Sequence, residues 1–491
     1  MTALEFHKAV LSHVTAFAKA RGLSLYLVGG VIRDALLGRQ ETSLNVDLAV
    51  PDRALDIARA LATQLGGTYI CLDEEAATAR VVVSAGTQRV ELDVSDFRGL
   101  NLEEDLTRRD FTINAMAVPL EVWATDPRWA AHLVDPLGGR SDLTQRRLVT
   151  CSDQAFRDDP VRILRAFRFA VQLGVLLDPS MPPLMLKAVA GLGHVAGERI
   201  RDELFAILQT DQVGAVLVQL NTLGALDILF PELGHGRGVE QGGYHHLDVL
   251  NHQLETVAQA DRLMGEYTEF APELRRPLAS YCETMLVERR SRKALVKLAG
   301  LFHDVGKPAT RRVEADGEIW FIGHEQFGAT LVESVVERLR LSNREADMVR
   351  RLVLYHLRPG HLSREAQLTP RAIFRFFRDL GDDGPACLLV WWADRLATRG
   401  PASRLDQLDQ QRARLEELLR AYFLKAEEVV KPPRLIDGHR LMAALGIKPG
   451  PVIGQLLRAI EEAQAEGQVR SEEDALQLAR ELLTNLMMDD R

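Results

Sequence analysis

Apolar residues recur at three- and four-residue intervals across residues 5–22, the spacing of a one-faced helix. Leu25 to Val28 is a short apolar run that stops at Gly29-Gly30, and it predicts a buried strand. A helix follows over Val31 to Leu37, then a polar connection and a second strand, Val46 to Val50. Asp52 to Leu65 has helical periodicity, whereas Tyr69 to Leu72, Arg80 to Val83 and Arg89 to Val94 alternate or are β-branched, as strands are. The first ~140 residues therefore mix strand and helix around one sheet.

From Asp153 onward the pattern is almost wholly helical. Helical runs cover Pro160 to Leu173, Leu184 to Ala190, Ile200 to Leu208, Leu247 to Met264 and Leu295 to His303. More follow at Phe327 to Arg340, Arg344 to Tyr355, Pro370 to Leu380 and Ser403 to Leu424. Gly234 to Gly243 reads as an interdomain loop, and Pro432-Pro433 sets off a last helical module, Leu435 to Leu486. The pattern thus changes near residue 150 and is interrupted at 234–243 and 432–433.

Composition narrows the class without naming a function. The chain has 491 residues, 46% hydrophobic and 26% charged, which is ordinary globular composition. Cys71, Cys151, Cys282 and Cys387 are far apart, which reads as reduced thiols in a cytoplasmic protein. The N-terminus lacks the basic flank and apolar run of a secretory signal, and no apolar run is long enough to span a bilayer. The net charge of −9 argues mildly against nucleic-acid binding, unless the cations gather on one face.

The chemistry-bearing residues start at Gly29-Gly30. Glycines between a strand and a helix let backbone N–H groups approach a triphosphate, and Arg33 can clamp a phosphate oxygen. Asn45 and Asp47 lie two apart on a strand and so share a face. Glu91 and Asp93 share a face in the same way; Asp93, just before Val94-Ser95-Asp96-Phe97-Arg98, is the preferred acid. Further on come Arg109-Asp110 with Asn114, then Asp135-Pro136-Leu137-Gly138-Gly139. In the run from Asp158 to Phe169, Arg162, Arg165 and Arg168 recur every three residues and form a cationic ridge if helical, with Asp159 one turn ahead.

In this order and spacing the motifs resemble the bacterial-type (class II) tRNA nucleotidyltransferase and poly(A) polymerase family. The resemblance spans essentially the whole chain and is most specific over the first ~205 residues, through Glu198-Arg199-Ile200-Arg201-Asp202-Glu203-Leu204. It implies an α+β protein: a polymerase-β-like nucleotidyltransferase head with a mixed sheet (1–150), then an all-α neck (151–235), body (236–400) and tail (401–491). It implies that Gly30, beside Gly29, and Arg33, Arg109, Arg165 and Arg168 contact nucleotide phosphates and sugar. Asp159 and Arg162 would read the base edge of CTP or ATP. Asp47 and Asp93 would hold Mg²⁺, and Asp110 and Asn114 would shape the site. The implied reaction is template-independent addition of CMP, AMP or both to the 3′ end of tRNA.

Asn45 departs from that pattern, which has aspartate there. A neutral carboxamide coordinates Mg²⁺ more weakly than a carboxylate. Three readings follow: an engineered loss, a working site in which other acids compensate, or a head that only binds RNA. The otherwise intact motifs favour a transferase.

Downstream, the order His252…His303-Asp304…His324…His356…Asp394 resembles the HD phosphohydrolase superfamily, over about residues 240–400. His303-Asp304 stands in His-Asp-Val-Gly-Lys, with Gly323-His324-Glu325 behind it. The resemblance implies one ion on His252, His303, Asp304 and Asp394, with His324 and His356 supporting a second. Imidazole with carboxylate suits Mn²⁺, Ni²⁺ or Co²⁺. Cyclic phosphates or phosphomonoesters would be the substrates. His245, His246 and His361 read as ordinary packing histidines. The tail resembles the family's C-terminal module and is expected to grip tRNA. Two alternatives remain: a poly(A) polymerase, whose usual basic tail is missing from Ser471 to Arg491, and an HD phosphohydrolase whose head is impaired by Asn45.

Overall fold

The structure is a computed structural model that describes residues 3–39, 45–86, 88–287 and 289–489. It divides into two compact units, Met1–Val195 and Ala196–Arg491. The division falls inside the segment expected as neck, and the glycine-rich stretch 234–243 lies within the second unit.

The first unit is built on six strands: β1 (Tyr26–Val28), β2 (Asn45–Val50), β3 (Thr68–Asp73), β4 (Thr78–Ala85), β5 (Gln88–Asp96) and β6 (Ala117–Pro119). They form one mixed sheet in the order β3-β4-β5-β2-β1-β6. β2 and β5 run parallel at its centre, and the other neighbours are antiparallel. Alternation decides what each face does. Val46, Leu48, Val50, Leu92 and Val94 point to one side and pack with Val14 and Phe17 of α1 (Ala3–Ala20) and Leu61 of α3 (Ala54–Leu65). The residues between them leave the other side and include Asp47 and Asp93, while Ala49 there packs with Val28, Leu106, Ala115 and Ala117. Between β1 and β2 lies α2 (Gly30–Leu36). β3 and β4 are joined by a tight turn, residues 74–77, in which Asp73 Oδ1 accepts the Ala76 N–H at 2.9 Å.

The second unit is helical, with small two-stranded pieces at Met285–Val287 with Arg290–Ser291 and at Arg312–Val313 with Ile319–Trp320. Helix Gly384–Ala397 carries no readable helical period, because Ala386 to Ala393 is buried on all sides. The helix expected from Ser403 begins at Leu408, after a 3₁₀ turn over Leu405–Gln407. Ile436, Leu441, Leu456, Ile460 and Val469 form a separate small core, so the tail segment is a packed module. Among the described residues no helix is long and apolar enough to cross a membrane.

Candidate active site and metal centre

β2 and β5 align Asp47 with Asp93 and Asn45 with Glu91, residue against residue. Registered residues share a face, so all four side chains rise from the open side of the sheet. The turn at Gly29 lies against this row. Its φ is 79°, a conformation that favours glycine, and a Cβ there would meet Asp47 Oδ2 at 3.0 Å. Burial pushes the Asp47 carboxyl up, helped by Asp93 and Asp110 and opposed by Arg109 and Arg165.

The arginines of the head are each fixed by a different partner. Arg33 donates to both oxygens of Asp34, at 2.9 and 3.0 Å, and to Asn114 Oδ1 at 2.8 Å. Arg109 donates to the fully buried Asp105 at 2.9 Å. Asp110 accepts from the Phe111 N–H at 2.8 Å, from Asn114 at 3.2 Å and from Arg165 at 3.3 Å. Burial alone would raise the Asp110 carboxyl, but Arg165 and these donors hold it below the ordinary range.

Arg162, Arg165 and Arg168 lie on α4 (Arg162–Leu173), after Asp159, whose extended backbone separates it from the preceding short helix. They do not form one straight exposed ridge. Steps of three residues drift around a helix of 3.6 per turn. Arg162 turns inward and donates to the carbonyls of Ala155 (3.1 Å) and Arg108 (3.3 Å), while Arg165 faces Asp110 and Arg168 covers the Phe169 ring. Asp159 is 4.0 Å from Arg162.

The second unit holds a separate centre. His252 comes from α5 (Val249–Glu266), and His303-Asp304 follow α6 (Arg292–Phe302). His324 opens α7 (His324–Arg338), His356 follows α8 (Asn343–Tyr355), and Asp394 lies on α9 (Gly384–Ala397). Two triplets have ligand atoms close enough for one ion each: His252, His303 and Asp304, and Asp304, His324 and His356. Asp304 is common to both. Asp394 joins the first group, 2.9 Å from His252 and 3.7 Å from His303. Backbone carbonyls of Gly300, Phe321 and Val353 meet Nδ1 of His303, His324 and His356 at 2.7–2.8 Å, which leaves each Nε2 aimed inward. His303 Nε2 lies 3.1 Å from Asp304 Oδ2 without an aligned hydrogen bond, so the donor set fits a cation. The adjoining cavity is about 1220 Å³ and is lined by His245, Lys307, Trp320 and Arg395 among others.

The Poly A polymerase head domain family matches residues 25–149, the HD domain family 249–398, and the family described as the probable RNA and SrmB-binding site of polymerase A 177–235. An A-adding tRNA nucleotidyltransferase from Deinococcus radiodurans is 37% identical over 458 residues, covering 91% of this chain and 93% of that protein. This chain belongs to the bacterial-type tRNA nucleotidyltransferase family. A CC-adding tRNA nucleotidyltransferase from Thermus thermophilus is 33% identical, covering 91% of each protein. The solved Thermotoga maritima CCA-adding enzyme complexed with tRNA_CCA shares the fold at TM-score 0.62 and 22% identity, covering 97% of this chain and 95% of that one.

Four residues at these centres of the tRNA nucleotidyltransferase escaped the sequence reading. Arg80 donates to both Asp93 oxygens, at 2.7 and 2.8 Å, and nothing in its local sequence marks it. Asp105 carries Arg109. Lys307 sits 2.6 Å from Asp304 Oδ2, and its place in His-Asp-Val-Gly-Lys was the available signal. His245, read as a packing residue, packs edge-on against His252 with ring centres 4.6 Å apart; burial pushes its imidazole down to about 3.

Proposed function

We propose that this enzyme adds CMP, AMP or both to the 3′ end of tRNA without a template. The observation that carries the proposal is the pairing of Asp47 with Asp93 on the open sheet face, directly against the Gly29 turn. The 37% identical relative is named as A-adding and the 33% identical one as CC-adding, which supports tRNA, CTP and ATP as the partners. The ligand atoms that the acidic row offers are oxygens, which suits Mg²⁺, with Arg80 donating to both oxygens of Asp93. Asp47 and Asp93 are the residues to hold it. When bound, such ions activate an attacking hydroxyl and stabilise a leaving oxygen.

The chain's own residues supply the rest. The Gly29-Gly30 turn lets a triphosphate come close to the backbone. Arg33, Arg109, Arg165 and Arg168 offset its charge and fix its place. Asp110 and Asn114 hold Arg165 and Arg33 in position through the bonds described above. Asp159 and Arg162 meet the base edge, with Arg162 kept rigid by its two carbonyls. The tRNA 3′-hydroxyl then attacks the α-phosphate in line and pyrophosphate leaves. A cytoplasmic location suits this substrate and the four free cysteines.

The test uses tRNAs lacking A, CA or CCA, each with labelled CTP, ATP or both. Discrete additions of one to three nucleotides support the proposal and identify what is added. Long ATP-only products on many RNAs would make the chain a poly(A) polymerase. No addition to any end would leave the head as an RNA-binding unit.

A second activity is favoured by the two triplets sharing Asp304 beside the cavity. The HD centre is proposed to hydrolyse phosphoesters such as 2′,3′-cyclic phosphates, using Mn²⁺, Ni²⁺ or Co²⁺ on His252, His303, Asp304, His324, His356 and Asp394. Hydrolysis of a 2′,3′-cyclic nucleotide that is lost in His303→Ala and in Asp304→Ala supports it. Hydrolysis that survives both changes would locate the activity elsewhere.

A further inference from the structure

Asn45 leaves β2 with one carboxylate on the open face instead of two. The face as a whole is not short of acid. Asn45 is registered with Glu91 on β5, just as Asp47 is with Asp93. Adjacent strands lie about 4.8 Å apart. A glutamate side chain spans that gap, so Glu91 can present its carboxylate where an acid at position 45 would present one.

Glu91 is not a solvated surface acid. It is 3% exposed. Arg89 approaches Oε1 at 2.5 Å and Arg80 approaches Oε2 at 2.8 Å. Yet Oε2 is buried and accepts no aligned hydrogen bond. The aligned bonds of Arg80 go instead to Asp93, at 2.7 and 2.8 Å. A guanidinium devoted to Glu91 alone would meet it side-on through two bonds. Here one cationic group bridges Glu91 and Asp93, which shows that the two carboxylates converge within reach of a single positive charge. That oxygen is met by the charge of Arg80 without an aligned donor, an arrangement that a divalent cation placed there would satisfy more fully.

We propose that Glu91 supplies the carboxylate that Asn45 lacks, so that Asp47, Asp93 and Glu91 together hold the divalent cations of the head. The acid has moved one strand over, and the three negative charges of the site are kept. Arg80 marks the place between Asp93 and Glu91 where a cation fits. This inference rests on the transferase reading above.

The probe is Mn²⁺, counted on the full chain by electron paramagnetic resonance in the presence of CTP or ATP. Ions at the HD centre contribute equally to every variant and cancel in the comparison. Glu91→Gln is expected to weaken one Mn²⁺ by roughly tenfold or more. Adding Asn45→Asp to that variant is expected to regain most of the loss. Unchanged Mn²⁺ binding in Glu91→Gln overturns the inference, as does a loss that Asn45→Asp does not restore. Should Glu91→Gln fail to fold, Asn45→Asp alone decides. A site already completed by Glu91 gains little affinity from it, and a roughly tenfold gain overturns the inference. The two readings fail separately. Nucleotide addition by the wild type with normal Mn²⁺ binding in Glu91→Gln sinks only the role of Glu91. The expected Mn²⁺ pattern without any addition to tRNA sinks only the transferase reading.

Discussion

Asp47 and Asp93 stand side by side across the parallel pair of strands at the centre of the head sheet. They are 46 positions apart in the chain, and the register of β2 against β5 is what joins them. A slip of one residue in that register would send one acid into the apolar core. Asp47→Asn removes charge without changing shape. It is expected to lower nucleotide addition by roughly 10³-fold, the effect of losing about 4 kcal/mol of cation-borne stabilisation. Melting should stay close to wild type, since relief of a buried charge offsets lost contacts. Single-turnover rates with tRNA and saturating CTP or ATP check this; a rate within a few-fold of wild type would remove Asp47 from the chemistry.

Gly29 and Gly38 separate strain from crowding. Both have positive φ, 79° and 65°, but a Cβ at Gly29 meets Asp47 Oδ2 at 3.0 Å while one at Gly38 meets nothing within 4 Å. Alanine at Gly38 is expected to lower stability by about 1–2 kcal/mol, and alanine at Gly29, whose ψ of −137° lies outside the left-handed helical region, by about as much or more. Only Gly29→Ala should also displace Asp47, and a shift of that kind costs roughly 10²-fold in rate. Equal rates in the two variants would show that the Gly29 turn and Asp47 act independently.

The legible parts of this chain were those where one strong local rule acts. The alternation in Val46 to Val50 and Arg89 to Val94 marked the strands, and the Gly29-Gly30 pair marked the turn between β1 and α2. His303-Asp304 marked a cluster of buried imidazoles and carboxylates because an unusual doublet sits at a helix end. The illegible parts depend on register and depth. Arg80 joins Asp93 because antiparallel β4 places them opposite each other, and a pairing partner is not written in the local sequence. Helix Gly384–Ala397 had no period because it is buried all round. His245 looked like any packing histidine until the fold laid it on His252. The arginine spacing on α4 was visible, but the inward turn of Arg162 depends on the distant carbonyl of Arg108.

The HD centre should couple metal to stability. Its imidazoles and Asp304 are buried and crowd together, so a bound cation relieves a costly arrangement. Mn²⁺ at 100 times its dissociation constant is expected to add about 2.7 kcal/mol. For a unit of this size that raises melting by roughly 5–10 °C. Chelator should reverse the shift, and Asp304→Asn, which removes the ligand common to both triplets, should abolish most of it. Differential scanning fluorimetry with and without Mn²⁺ measures it, and an equal shift in Asp304→Asn would move metal binding to other residues.

Acid should loosen the tail from the body. Glu462, on helix Pro451–Ala465, receives hydrogen bonds from Arg371 (3.1 Å), Arg375 (3.0 and 2.7 Å) and Arg378 (2.7 Å) on helix Pro370–Leu380. The Arg375 bonds are the largest influence; burial opposes them, Arg371 and Arg378 add to them, and the carboxyl is held down at about 2 from an ordinary 4.5. A carboxyl whose value is lower folded than unfolded stabilises fully above the unfolded value. That contribution fades as pH falls from about 4.5 towards about 2. Arg371 and Arg375 are about half exposed and Arg378 about a third, so screening limits the contribution to about 1 kcal/mol. Protection of the amides of residues 435–485 against hydrogen exchange, taken relative to the intrinsic exchange rate at each pH, should therefore fall between pH 5 and pH 3 (an experimental window of about two units around the titration) and should fall at neutral pH in high salt. Glu462→Gln should already exchange faster at neutral pH and respond less to acid. Equal acid sensitivity in the variant and the wild type would mean that other carboxylates, not Glu462, fasten the tail.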